Sequence, residues 1–128
     1  MAFLRQSLNN GTLVIHGDGE QTRDYVYVDD VVNAMIAAST APEVNQLTIN
    51  VGSGKETSVR DLAAMVVAVT GSEPEVVYNP RSDRGSSRLC ADISLASDML
   101  NFKPGISLET GLRLTLERDP QLRMRNGK

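Results

Sequence analysis

The stretch Gly17 to Asp30, Gly-Asp-Gly-Glu-Gln-Thr-Arg-Asp-Tyr-Val-Tyr-Val-Asp-Asp, constrains this chain more than any other. Thr12 to His16 before it reads as a short strand. Asp24 to Val28 alternates Tyr25 and Tyr27 against Val26 and Val28, the period of two expected of a second strand. Gly17-Asp18-Gly19 is the turn between them, because glycine takes the positive φ that reverses a chain and Asp-Gly is a strong turn signal. Asp29 and Asp30 then suit the N-cap and first turn of a helix. The helix over 29–39 carries Val31, Val32, Met35 and Ile36 as its expected buried face.

Arg23 sits between turn and strand, where its planar fork of donors would be held beside a glycine-rich loop. Such a fork suits a phosphate. An ordinary hairpin with an exposed arginine accounts for the turn alone. As a whole, Gly-Asp-Gly-x-Gln-x-Arg-Asp-Tyr-x-x-Val-x-Asp resembles the extended short-chain dehydrogenase/reductase family. These are the NAD-dependent sugar-nucleotide epimerases and dehydratases typified by UDP-glucose 4-epimerase. The resemblance implies that Arg23 contacts a sugar nucleotide and that Leu13-Val14-Ile15 is the strand beside its base. His16 takes a position often held by an aromatic residue, and no second titratable group near it in sequence supports an acid or base role.

A chain of 128 residues is one domain's worth and can bury a core. Its net charge of -3 argues against general nucleic-acid binding, although clustered arginines can still hold one phosphate group. No apolar run approaches the roughly 20 residues that cross a bilayer. The N-terminus lacks the arrangement of a secretory signal, so the expected compartment is the cytoplasm and no membrane partner is expected. Cys90 is alone, which rules out an internal disulfide and favours a structural thiol.

Further elements follow from punctuation. Phe3 to Leu8 reads as the end of a helix stopped by Asn10-Gly11. Leu47 to Val51 reads as a strand entering Gly52-Ser53-Gly54. Ser58 caps a helix with Asp61 in the capping-box position and Val59, Leu62, Ala63, Val66 and Val69 on one face, and Gly71 closes it. Gly54-Lys55 is no phosphate-binding P-loop, since position 49 is Ile and Lys55 is followed by Glu56. Val76 to Tyr78 forms a short strand. Ser94 to Leu100 is a short helix with Asn101 as a left-handed cap. Ser107 caps a last helix with Leu108, Leu112, Thr115 and Leu116 buried.

The loop Arg81-Ser-Asp-Arg-Gly-Ser-Ser-Arg88 concentrates three arginines and three serines. It offers charge, hydroxyls and a glycine that lets backbone approach a ligand, as a diphosphate requires. A solvated basic loop is the alternative. The loop is similar to the family's second nucleotide-binding loop, and Ala91-Asp92-Ile93-Ser94 matches the segment that follows it. The resemblance makes Arg88 the main diphosphate ligand, with Arg81 and Arg84 secondary. Asn50-x-Gly52 and Leu100-x-Phe102-x-Pro104-x-x-Ser107-Leu108-x-x-Gly111-Leu112 extend the resemblance over nearly the whole chain.

Family chemistry also needs a glycine-rich dinucleotide turn and a Tyr-x-x-x-Lys pair. Neither is present: the residues four after Tyr25, Tyr27 and Tyr78 are Asp29, Val31 and Ser82. The expected fold is therefore α/β, the C-terminal substrate-binding region of an extended short-chain dehydrogenase, with short strands, about five helices and the Rossmann N-terminal half missing. The chain reads as a fragment, a truncated gene product or one half of a split enzyme. Residues 1–118 are the expected substrate region and 119–128 a loose tail. No catalytic residue, metal ligand or cofactor site is expected in the chain itself, with NAD belonging to the full-length family. Expected partners are a nucleoside-diphosphate sugar, UDP-linked by the resemblance, and either a second copy or the missing Rossmann half.

Overall fold

The computed structural model describes residues 2–9, 11–80 and 87–123. In chain order the elements are α1 (Ala2–Leu8), β1 (Leu13–His16), β2 (Thr22–Asp24), α2 (Val28–Thr40), β3 (Glu56–Ser58), α3 (Val59–Thr70), β4 (Val76–Asn79), α4 (Ser94–Leu100), α5 (Leu108–Arg118) and α6 (Pro120–Arg123). The strands make two separate pairs. β1 lies parallel to β4, with Leu13 opposite Val76 and His16 opposite Asn79. β2 lies antiparallel to β3, with Thr22 opposite Ser58 and Asp24 opposite Glu56. The Gly17–Gly19 turn thus joins two different sheets, and β1 and β2 form no hairpin.

Several helix ends follow local chemistry. Ser58 Oγ accepts from Asp61 N at 3.0 Å and starts α3, and Gly71 closes it at φ 63°. Ser107 Oγ accepts from Thr110 N at 3.2 Å and starts α5. Asn101 takes the left-handed conformation after α4, at φ 49°. Asn10 of the expected stop signal lies outside the described residues, while Gly11 N donates to Gln6 O at 2.9 Å.

Other expectations are corrected. β2 ends at Asp24 instead of running to Val28, because its antiparallel partner β3 begins at Glu56 opposite Asp24, and the preceding Ser53 and Gly54 amides are taken by the Asp24 carboxylate. Leu47–Val51 joins no ladder among the described residues, although Ile49 and Val51 still pack on the core. The N-cap of α2 is Tyr27, which makes no side-chain capping bond. Asp30, 5% exposed, instead accepts from Gly105 N at 3.1 Å and Ile106 N at 3.0 Å. The tail from 119 is not loose at its start: α6 begins at Pro120, a residue suited to a first helical turn. Leu122 is fully buried against Leu4, Val66 and Leu116. Residues 124–128 lie outside the described residues.

The core has three clusters. α1, α3, α5 and α6 share Leu4, Val66, Leu116 and Leu122. β1 packs Leu13 and Ile15 on Ala63 of α3. α2 and α4 meet through Ala34, Ala96, Leu100 and Phe102. In α2 the side turned inward is therefore the alanine side, with Ala37 and Ala38 beside Ala34. Val32, Met35 and Ile36 of the expected buried face are 45%, 67% and 61% exposed, and Val28 is 60% exposed. Small residues let α4 approach closely, and the Asp30 anchor fixes the rotation of the helix.

Asp30→Ala removes the buried acceptor of two partly buried amides, so it should lower unfolding free energy by about 1–3 kcal/mol. Asp29→Ala removes only an exposed ion pair with Arg118 and should cost under ~1 kcal/mol. Urea unfolding followed by circular dichroism checks both.

Candidate functional site

The site residues gather around β2. Its Thr22 makes a parallel bridge to Arg88: Thr22 N donates to Ser87 O at 3.1 Å, and Leu89 N donates to Thr22 O at 3.3 Å. The segment 87–89, β2 and β3 thus form one small three-stranded patch. Arg23 Nη1 donates to Ser87 O at 3.2 Å, to Ser87 Oγ at 3.0 Å and to Thr22 O at 2.6 Å. The two arginines predicted to act together stand on adjacent strands, with Ser87 between them. Successive side chains leave a strand on opposite faces. Thr22 and Arg88 accordingly share the face of Glu56, while Arg23 leaves from the other and reaches the strand edge at Ser87.

Arg88 is itself paired. Its Nε and Nη2 both donate to Glu56 Oε2, at 3.0 and 2.9 Å, and Thr22 Oγ1 donates to the same oxygen at 3.2 Å. The Arg88 side chain is 75% exposed and that of Glu56 is 28% exposed. Sequence reasoning missed Glu56, since an acid inside a phosphate-seeking patch has no motif of its own.

Asp24 holds the patch to the rest of the molecule. Oδ1 accepts from Ser53 N at 2.7 Å and Ser53 Oγ at 2.5 Å, and Oδ2 accepts from Gly54 N at 2.9 Å and Ala91 N at 3.1 Å. Burial pushes this carboxyl up, but the hydrogen bonds from Ser53, Ala91 and Gly54 outweigh it, and the net shift is downward. Gly52 is needed beside it, because a Cβ there would lie 2.7 Å from Asp24 Oδ2 and 2.6 Å from Ala91 Cβ. The available signal was a carboxylate next to Arg23 and a Gly-Ser-Gly loop offering N–H groups elsewhere in the chain. Tyr25, whose phenol is pushed up by burial and down by the charge of Arg23, lines a cleft of about 470 Å³ with Ser53, Lys55, Thr57 and Ser107.

The strand predicted to face a base divides by side. Ile15 is 1% exposed and packs on Ala63, so its side chain belongs to the core and cannot lie against a ligand. Val14 is half-buried on the opposite face, and His16 is exposed at the strand end, where its carbonyl accepts from Gln21 Nε2 at 3.1 Å. Arg81 and Arg84 lie outside the described residues. The exposed Cys90 thiol is pushed up, by lost solvation first and then by the carboxylates of Asp24 and Glu56, which disfavours a reactive thiolate. Among the described residues no group of three His, Cys, Asp or Glu could hold a metal ion.

A dinucleotide does not fit the glycine-rich segments. Gly17–Gly19 leads from β1 into another strand, without the helix N-terminus on which a pyrophosphate rests. At Gly52–Gly54 the amides of Ser53 and Gly54 are already taken by the Asp24 carboxylate, whose charge would repel a phosphate.

Comparison with known proteins identifies the family and the fold. The family model described as GDP-mannose 4,6 dehydratase matches residues 2–115. The chain belongs to this family of NAD-dependent sugar-nucleotide epimerases and dehydratases. It is 38% identical over 117 residues to UDP-glucose 4-epimerase of Mycolicibacterium smegmatis, covering 90% of this chain and 36% of that protein. It superposes on the UDP-glucose 4-epimerase of Thermotoga maritima, solved with UDP-glucose, with a TM-score of 0.82 and 37% identity over 91% of this chain and 37% of that one. UDP-glucuronic acid 4-epimerase of Bacillus cereus, solved with UDP-glucuronic acid and NAD, gives a TM-score of 0.83 and 32% identity over 95% and 40%. UDP-glucuronic acid decarboxylases also match. The fold is the α/β one of these enzymes, and the chain spans little more than a third of their length.

Since the folded carboxyl of Asp24 lies below its ordinary value near 3.9, the stability it contributes is present above that value and is lost as pH falls through the lower, folded one. Asp24→Asn turns a donor toward N–H groups, so it should cost about 1–2 kcal/mol at pH 6. It should also lose less stability than the parent protein between pH 4 and pH 2. Urea midpoints across that range test both.

Proposed function

We propose that this chain is the nucleoside-diphosphate-sugar binding region of a UDP-glucose 4-epimerase-like enzyme, with residues 1–118 as the binding region. Arg23 and Arg88 are its phosphate ligands, with Arg81 and Arg84, which lie outside the described residues, as secondary ones. Val14 and His16 present the open side of β1 toward the base. The observation that carries the reading is the bridging of the Arg88 segment to β2, which sets Arg23 and Arg88 on adjacent strands of one small patch. Charge-assisted bonds from guanidinium to phosphate are among the stronger polar contacts. The likeness to enzymes solved with UDP-glucose and UDP-glucuronic acid supports a UDP-sugar as the ligand class.

In a protein of the relatives' length, the chemistry of this reading is epimerisation. NAD would supply the redox chemistry there, taking up the C4 hydride of the sugar and returning it to the other face once the sugar has turned in the site. This chain's own part is to bind and orient the diphosphate, while NAD, which the B. cereus neighbour holds, is bound elsewhere in such a protein. Decarboxylation and 4,6-dehydration are the alternatives on the same framework.

A second reading, an assembly module, is favoured by the apolar surface. α2 exposes Val28, Val32, Met35 and Ile36 while burying alanines on its inner side, and a contiguous exposed apolar face ordinarily marks an interaction surface. Val76, Val77 and Tyr78 of the parallel strand β4 are 42%, 38% and 45% exposed, whereas parallel strands are ordinarily covered on both faces. Both readings place the dinucleotide-binding half of the fold, or a second copy of this chain, on these faces.

Truncating either arginine should weaken UDP binding roughly ten- to a hundredfold, which corresponds to about 1.5–3 kcal/mol per charge-assisted contact. Arg60→Ala is the control, because Arg60 on α3 is an exposed arginine of the same charge, paired with Glu20 and making no bond to Ser87 or Glu56 among the described residues. NMR shift titration of UDP into the parent protein, Arg23→Ala, Arg88→Ala and Arg60→Ala decides. Equal weakening by all three would mean general charge attraction and no defined site.

Met35→Glu with Ile36→Lys should lower the self-association of the isolated chain, because it breaks the outer apolar side of α2. Light scattering against concentration reads the change, and a parent chain that stays monomeric would count against both proposed coverings.

A further inference from the structure

We infer that Glu56 occupies the Arg88 guanidinium when no ligand is bound, and that a nucleoside diphosphate enters by displacing it. Glu56 is thus a specificity-determining residue: it sets a charge threshold that only a strongly anionic ligand overcomes. This rests on the reading of Arg88 as a phosphate ligand.

Three observations lead there. The Nε and Nη2 of Arg88 both point at one carboxylate oxygen, so the donors a phosphate would engage are already taken. The carboxylate cannot simply follow Arg88 toward a ligand, because Glu56 sits in the β3 ladder opposite Asp24 and its Oε2 also accepts from Thr22 Oγ1. Finally, the Arg88 side chain is 75% exposed, so the pair is a surface ion pair, weak enough to exchange and close enough to compete. A diphosphate brings more than one negative charge and several acceptor oxygens. It can replace the single carboxylate oxygen that Arg88 Nε and Nη2 share with two phosphate oxygens of its own. A neutral or singly charged ligand gains too little to open the pair.

The sign of the effect makes the inference testable. If Glu56 competes, removing its charge must tighten diphosphate binding; if Glu56 orients Arg88 for the ligand, the same change must weaken it. Glu56→Gln is suitable because glutamine keeps an acceptor for Thr22 and the same length. Glu109→Gln is the matched control, since Glu109 also pairs with an arginine, Arg113, at 2.9 Å but on α5.

The experiment titrates UDP, UMP and uridine into the parent protein, Glu56→Gln, Glu109→Gln and Arg88→Ala, following amide and arginine Nε signals by NMR. The expected result is UDP binding roughly two- to tenfold tighter in Glu56→Gln, in line with the modest strength of an exposed ion pair. UMP should gain at least as much in relative terms, uridine should be unchanged, and Glu109→Gln should match the parent. The Arg88 Nε signal should shift on Glu56→Gln alone and shift again with UDP. Unchanged or weaker UDP binding in Glu56→Gln, with Arg88→Ala still weakened, would overturn the displacement and leave Arg88 as a phosphate ligand. Parent-like UDP binding in Arg88→Ala would instead overturn the reading of Arg88 and the displacement with it. Melting temperatures within a few degrees of the parent keep misfolding out of the comparison.

Discussion

The carboxylate of Asp24 is the interaction on which the candidate site depends. Four donors from three points of the chain, the backbone and hydroxyl of Ser53, Gly54 N and Ala91 N, converge on its two oxygens. An acid placed among N–H groups loses solvation but gains charge-assisted bonds, and here the bonds prevail. The geometric consequence is larger than the energetic one. Ala91 is three residues beyond Arg88 and Asp24 is one beyond Arg23, so a single carboxylate fixes the spacing of the strand edges that carry both arginines. The same clamp needs Gly52, where no side chain could fit between Asp24 and Ala91.

A second carboxylate of the same motif acts in a similar way at the other end. Asp30 takes the amides of Gly105 and Ile106 and so ties the start of α2 to the turn that leads into α5. Tyr27, between the two acids, packs against α5 where a Cβ on Gly111 would come within 2.9 Å of its ring. The Arg-Asp-Tyr-x-x-Val-x-Asp stretch is therefore a seam, with one arginine directed at a prospective ligand and its acids and Tyr27 directed at backbone or helix. The charge pattern of the patch is mixed: Arg88 meets Glu56, while among the described residues Arg23 meets the neutral acceptors of Ser87 and Thr22. Two guanidiniums so differently occupied need not contribute equally to a shared ligand.

The apolar surface has its own logic. Alanines on the inner side of α2 permit a close helix pair with α4, and the larger Val32, Met35 and Ile36 are left facing outward. With the two sides of α2 both apolar and β4 open, the chain carries more nonpolar surface than its own elements cover. The matched family relatives are about two and a half times its length, so in them such faces have further chain to pack against.

The sequence by itself determined the family, the α/β class and most helix boundaries, because these are written locally. Ser58, Ser107, Gly71 and Asn101 each act on neighbours within a turn of themselves. Arg23 and Arg88 were singled out in the same way, from donors set in turn and loop contexts. What periodicity could not decide was the partner of each surface. Val31 to Ile36 has the spacing of a buried face, but a helix with apolar residues on two sides leaves the choice to its neighbours, and the Asp30 anchor turned the alanines inward. Tyr25 to Val28 alternates like a strand, but alternation makes no ladder without a partner, and the chain before Glu56 gives its Ser53 and Gly54 amides to the Asp24 carboxylate. Ile15 and Val14 were equivalent in sequence until pairing with β4 and packing on Ala63 assigned one to the core and one to the open side. The roles of Asp24 and Glu56 arise from contacts across 29 to 67 positions of chain, at Ser53, Arg88 and Ala91. Only folding could create them, since a carboxylate carries no sign in the sequence of which distant donors will reach it.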